Sequence, residues 1–225
     1  MTDLNQQLTQ AIVGNDAFRV QALLSEDPSQ LRARDPNGRT PLLLCLYFGH
    51  EDLAHLVRER ATEVDLYEAS ALGEAATVQE HLAKEPEAVN AAAPDGFRPL
   101  GLAAYFGRLD VAKALLDLGA EPDAPAVNLS RVCPIHSAAA HRDADRSLAL
   151  CQLLLEKGAD PNLKQAGGWT PLHQAAAHGR TDVVKLLLAH GASTEAVSDD
   201  KRTPGQMAEL KGHKEILEML QEKEA

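Results

Sequence analysis

A short apolar stretch, a glycine, and a second short apolar stretch recur along this chain. The glycine of that pattern returns as Gly14, Gly49, Gly73, Gly107, Gly179 and Gly212. The clearest copy is "GWTPLHQAAAHGRTDVVKLLLAHGAS", residues 168–193. Leu172, Ala175 and Ala176 share one helical face, and Val183, Val184, Leu187 and Leu188 share another. Thr170 suits an N-cap, where its hydroxyl accepts from an orphan backbone N–H, and Pro171 suits the first helical position, which needs no donor. Gly179 and Gly191 fit the left-handed residues that end the two helices. Neither helix is long enough to persist alone in water, so neighbouring units must bury its apolar stripe.

"TPLH" at 170–173, "AAAHG" at 175–179 and "VVKLLLAHGA" at 183–192 resemble one unit of the ankyrin repeat family, in the form found in bacterial-type ankyrin repeat proteins. The resemblance implies an all-α solenoid of helix–turn–helix units with short β-hairpin fingers projecting between them. "TP" returns as Thr40-Pro41 and Thr203-Pro204, and in degraded form as Arg98-Pro99 and Cys133-Pro134. Seven units follow, at approximately 1–34, 35–62, 63–92, 93–124, 125–163, 164–196 and 197–225, as one array without a second domain. The first and last units are the least typical, as expected of caps that show water a polar outer side.

Two irregularities stand out. Tyr47-Phe48-Gly49 and Tyr105-Phe106-Gly107 occupy the same place in units two and four, yet lie 58 residues apart, where two ankyrin periods predict about 66. The shortfall falls between Gly49 and Gly73, a gap of 24 residues. The finger between units two and three is therefore expected to be missing or reduced to a tight turn. In unit five, Arg142 stands at the glycine position, "EPDAPAVNLSRV" (121–132) predicts an irregular loop in place of a regular finger, and "AHRDADRS" (140–147) carries about four added residues expected to bulge from the stack.

Composition narrows the function. Ala and Leu supply most of the apolar content and favour helix. With a net charge of −11 and no run of Lys or Arg, the chain does not look like a nucleic-acid binder. No apolar stretch is long enough to cross a bilayer, and "MTDLNQQLTQ" lacks the basic start and apolar core of a signal peptide. Cys45, Cys133 and Cys151 form no C-x-x-C pair and no even disulfide set, which points to a reducing, cytoplasmic setting.

The nine histidines do not make a metal site. His136 and His141, like His173 and His178, are five apart rather than the four that one helix face needs for zinc. By the resemblance, His136 and His173 are structural, bonding their own unit to a neighbouring finger. Cys133 stands where the capping Thr belongs, and its thiol is expected to face the interior, where thiols are inert. No phosphate loop and no nucleophile–base pair can be assembled. The expectation is a non-enzyme without cofactor or metal.

The resemblance implies that a protein partner lies along the concave side, on finger tips and the ends of the first helices. The residues at those positions are Arg39, Tyr47, Phe48, Phe97, Tyr105, Phe106, His141, Trp169, His178 and Arg202, which include six of the chain's eight aromatics. Tyr and Trp combine apolar area with a polar handle and dominate binding hot spots. The alternative is that one ring of each Tyr-Phe pair packs inward, Phe in preference to Tyr. The expected function is a protein-binding module of monomeric state, the alternatives being a self-associating dimer and, behind it, an enzyme or small-molecule site on the unit-five loops.

Overall fold

The computed structural model describes residues 4–222. The outermost bounds of the first and last expected units, residues 1 and 225, lie outside the described residues. Among the described residues fourteen α-helices pair in chain order. They are α1 (Leu4–Val13) with α2 (Ala17–Glu26), α3 (Pro41–Tyr47) with α4 (Glu51–Arg60), and α5 (Leu66–Leu72) with α6 (Ala75–Lys84). Next come α7 (Pro99–Tyr105) with α8 (Leu109–Asp117), and α9 (Pro134–Ala139) with α10 (Ala144–Glu156). Last are α11 (Pro171–Ala177) with α12 (Thr181–Ala189), and α13 (Pro204–Lys211) with α14 (Lys214–Glu222).

The first helices of successive pairs pack side by side in one layer, and the second helices from α6 to α14 pack in another. Between the layers runs one apolar cluster that starts at Leu8 and Ile12 and ends at Ile216 and Leu220. Each fully buried Leu in it contributes roughly 1.5–3 kcal/mol. Most of these helices have ten residues or fewer, so their stability comes from this shared spine rather than from propensity.

Local signals set where the helices begin. Thr40, Thr170 and Thr203 accept from the backbone N–H groups of Leu43, His173 and Gln206, each with Pro following at the first helical position. Asp65 replaces this device in unit three. It caps α5, and Glu68 reaches back to the Asp65 N–H to complete a capping box. Arg98 and Cys133 begin α7 and α9 without any side-chain cap. In the first unit the left-handed residue is Asn15 (φ 53°) rather than Gly14, a conformation Asn tolerates better than most residues.

No β-strand forms among the described residues. The fingers are instead tight loops. In four of them an N–H bonds the carbonyl four residues on and that same residue's carbonyl accepts from an N–H three residues on, as at Asp35–Arg39, Ala93–Phe97, Gln165–Trp169 and Ser198–Arg202. The fifth, ahead of α9, is wider and closes from Ala126 to Val132. Neighbouring fingers are tied by single backbone bonds, from the Val127 N–H to Gly96, the Ala166 N–H to Ser130 and the Asp199 N–H to Gly167. One backbone pair per junction is too little to build a ladder.

Residues 61–65 alone join α4 to α5. With no finger there, the finger ahead of α3 rests directly on the finger ahead of α7: a Cβ at Gly38 would lie 2.8 Å from Pro94. The added residues of unit five do not bulge. Asp143 accepts from the Arg146 N–H and starts α10 early, so the helix runs 13 residues against 9 in α8 and α12. Ser147 anchors the extra turn by donating to the buried Ala138 carbonyl at 2.7 Å.

Candidate functional site

The ends of α3 and α7 meet across unit three. At the place in α5 that corresponds to Tyr47 stands Ala71, small and fully buried. With no finger ahead of α5 either, the rings of units two and four close over it. Tyr47 lies 5.2 Å from Phe106, 5.5 Å from Tyr105 and 6.2 Å from Phe97 between ring centroids. Tyr105 and Phe106 meet edge to face at 5.0 Å. Such pairs contribute about 0.5–1.5 kcal/mol each beyond their buried area.

Polar groups fix the central ring. The Tyr47 hydroxyl donates to Asp95 at 3.3 Å, and the Arg39 guanidinium sits 5.7 Å over the ring. Arg39 is itself held by Asp35, which accepts from Nε at 2.9 Å and from Nη2 at 2.6 Å. Burial raises the Tyr47 phenol above its ordinary value, with the Asp95 carboxylate adding to the effect, so it remains a neutral donor. The Asp95 carboxyl is also raised, chiefly by burial.

The cluster lines a groove of about 720 Å³. Arg108, His141, Arg142 and Arg146 also line it, with Glu51 and Asp143 among them. Gly107 makes that approach possible. Its φ is +70°, and a Cβ there would lie 2.5 Å from His141 Nε2. His141 Nδ1 accepts from the Asp143 N–H at 3.1 Å, and burial holds the ring below its ordinary value and neutral.

His136 lies in the floor. Its Nε2 donates to the carbonyls of Leu163 and Trp169, each at 3.1 Å, tying unit five to the finger of unit six. His173 repeats the arrangement one unit on, with Nε2 donating to the Arg202 carbonyl at 2.9 Å. The rings differ at Nδ1. In His173 it accepts from the Thr170 N–H and lies 2.8 Å from the Thr170 hydroxyl. In His136 it is buried without a partner: Cys133 supplies no hydroxyl, and its backbone N–H does not bond the ring as that of Thr170 does. Burial lowers His136 to about 4, against the opposing bonds to the Trp169 and Leu163 carbonyls.

Of the ten residues singled out from sequence, Tyr47, Phe48, Phe97, Tyr105, Phe106 and His141 line the groove, and Arg39 buttresses it. Trp169, His178 and Arg202 lie further along the array. The Trp169 ring is half-buried against His173 at 5.9 Å, His178 is exposed with Nδ1 2.9 Å from the Gln174 carbonyl, and Arg202 pairs with Asp200 at 3.3 Å. The preference for an inward Phe reverses in unit two. There Tyr47 packs and Phe48 is 45% exposed, stacked on His50, because a partner for the phenol exists at Asp95. In unit four Phe106 packs and Tyr105 is 46% exposed.

The sequence reading missed the arginines. Arg108 follows the inter-helix glycine, Arg142 replaces one, and Arg146 comes from the added turn of α10. The first two positions were already adjacent to the contact positions considered, and only the tertiary structure aligns them.

Chemistry has little to work with here. Cys45, Cys133 and Cys151 are free and buried, with thiols raised by burial to about 12, 11 and 12, so none is a ready nucleophile. Among the described residues no group of three or more His, Cys, Asp or Glu could hold a metal ion, and no helix is long and apolar enough to cross a membrane.

Stacked helix pairs, turn-like fingers and a concave groove define a helical-repeat solenoid. The family models agree: residues 135–225 match "Ankyrin repeats (3 copies)" and residues 95–126 match "Ankyrin repeat". The chain belongs to the ankyrin repeat family. It is 28% identical over 222 residues to the probable 26S proteasome regulatory subunit p28 of Saccharomyces cerevisiae, covering 97% of this chain and 85% of that protein. Shorter stretches resemble human protein phosphatase 1 regulatory subunit 27 (33% over 94 residues, 41% of this chain and 60% of that protein). Another resembles the mouse 2-5A-dependent ribonuclease (52% over 54 residues, 24% of this chain and 7% of that protein).

Proposed function

We propose that this protein is a non-catalytic interaction module that holds a partner protein in its concave groove. The observation that carries the reading is the four-ring cluster of Tyr47, Phe97, Tyr105 and Phe106, which leaves Tyr105 half exposed in a cleft built from several units that the exposed Phe48 also lines. A rigid surface of this kind loses little conformational entropy on binding. Likeness to a regulatory subunit along nearly the whole chain supports the same role, as does the lack of an accessible thiolate or metal cluster among the described residues. A cytoplasmic setting fits three unpaired cysteines.

Self-association through the gap between units two and three is the less favoured reading. That gap carries the ion pairs Arg32–Glu63 and Arg34–Asp65 rather than an exposed apolar seam. The test is a quantitative pull-down from cell lysate with the chain and with its Phe48→Ala and Tyr105→Ala variants, each checked for native helicity. Loss of the same bound proteins in both variants is expected. A bound set that is unchanged while folding is intact refutes the groove as the contact surface.

A further inference from the structure

The groove is lined by two unlike sets of side chains. One is aromatic: Tyr47, Phe48, Phe97, Tyr105 and Phe106. The other carries Arg108, Arg142 and Arg146 against Glu51 and Asp143, with His141 held neutral, so its charge is positive by one. The chain as a whole carries −11, so the groove stands out against an acidic surface. Two of its three cations make only loose internal pairs. Arg142 approaches Glu51 only at 3.8 Å with both side chains mostly exposed, and Arg146 meets Asp143 at 3.6 Å with both about half exposed. Pairs of that kind contribute little and exchange readily for a better partner.

Arg108 is the central cation. It is half-buried, and its Nε donates to the Ala71 carbonyl at 2.8 Å, which fixes the guanidinium and leaves its terminal nitrogens for a ligand. Burial and the neighbouring Arg146 push this guanidinium below its ordinary value, with only Glu51 opposing them. A fixed, partly desolvated guanidinium favours a carboxylate, which it can meet in bidentate fashion.

From this juxtaposition we infer that the groove takes an acidic linear segment of another polypeptide, one that sets a large apolar side chain against Tyr105 and Phe48 and carboxylates against Arg108 and Arg146. The inference rests on the proposed binding role and adds the chemistry of the partner. The apolar side chain supplies the anchor, and the arginine side supplies orientation and on-rate.

The experiment selects displayed random linear peptides on the immobilised full chain, then measures the enriched peptides by fluorescence anisotropy. Measurements are made on the wild type, on Arg108→Gln/Arg146→Gln and on Tyr105→Ala, at low and high salt. Enriched peptides are expected to combine Asp or Glu with Leu, Phe or Trp. Their affinity should fall about tenfold or more in the double arginine variant and in high salt, and comparably in Tyr105→Ala. Peptides that bind through Tyr105 but are neutral or basic, or that ignore the arginine change, overturn this inference and leave the binding role standing. Peptides that ignore Tyr105→Ala and the arginine change alike remove the groove from both readings. Failure to enrich any peptide, or a groove-dependent dimer of this chain in sedimentation, also overturns it. Arg108 is half-buried, so Arg146→Gln alone offers a second arginine variant should the double change perturb the fold, and Phe48→Ala a second aromatic one.

Discussion

Replacing Cys133 with Thr should stabilise this protein. The site shows what is lacking by comparison with its own neighbour. At Thr170 the hydroxyl accepts from the His173 N–H at 3.4 Å and lies 2.8 Å from His173 Nδ1. At Cys133 neither interaction exists, and His136 Nδ1 is left buried and unpaired. A helix cap contributes about 1 kcal/mol. Relieving a buried unsatisfied acceptor removes a cost of roughly 1–3 kcal/mol. The new hydroxyl must itself leave water and the methyl must fit, which offsets part of this, so the net gain should be about 1–2 kcal/mol. Space is adequate, because Thr170 occupies the equivalent spot at 1% exposure against 3% for Cys133. Urea unfolding would report the gain. Hydrogen exchange at the His136 amide would report it locally, which matters because repeat arrays need not unfold in one step. Cys133→Ser, which adds the hydroxyl without the methyl, should keep part of the gain, and Thr170→Cys should lose a similar amount. If Thr and Ser at 133 are both neutral and the imidazole nitrogen-15 shift of His136 Nδ1 does not move, the orphaned acceptor is not the cause and the reasoning fails.

Gly107→Ala should destabilise by roughly 1–3 kcal/mol, since it forces a side chain into φ +70° and against His141. Thermal melts would show it, and a neutral result would mean the groove wall yields. Acidification should also destabilise. His136 titrates near 4 in the fold against 6.5 when free, so the unfolded chain binds more protons between those values. Stability is therefore full above pH 6.5 and falls toward pH 4, by about 1 kcal/mol from His136 alone between pH 7 and 5.5. His141 and His173 are lowered too and add to the slope, while Glu68 and Asp95, raised by burial, oppose it at lower pH. A flat or rising urea midpoint from pH 7 to 5.5 would contradict this. Hydrogen exchange should be faster at the starts of α7 and α9, which lack side-chain caps, than at those of α3 and α11. Equal protection would show that packing outweighs capping there.

The amino-acid sequence by itself determined the helix pairs and their order. Apolar residues at helical spacing, Thr-Pro at the helix starts and glycine at the ends act over a few residues, so their consequences are local. The irregular spacing around unit three was equally visible, because a 24-residue gap cannot hold what longer ones hold. Tertiary structure decided the rest. Tyr47 turned inward and Phe48 outward because Asp95, 48 residues away, offers the phenol a partner. The residues added to unit five became a turn of α10 because Ser147 found the Ala138 carbonyl. Trp169 joined the unit-to-unit packing through His173 while three arginines from two units came to line the same groove as the aromatic rings. Helix starts and stops are set by neighbours in the chain, whereas the faces of a groove are set by how far one unit is displaced against the next. That displacement depends on every side chain packed between them.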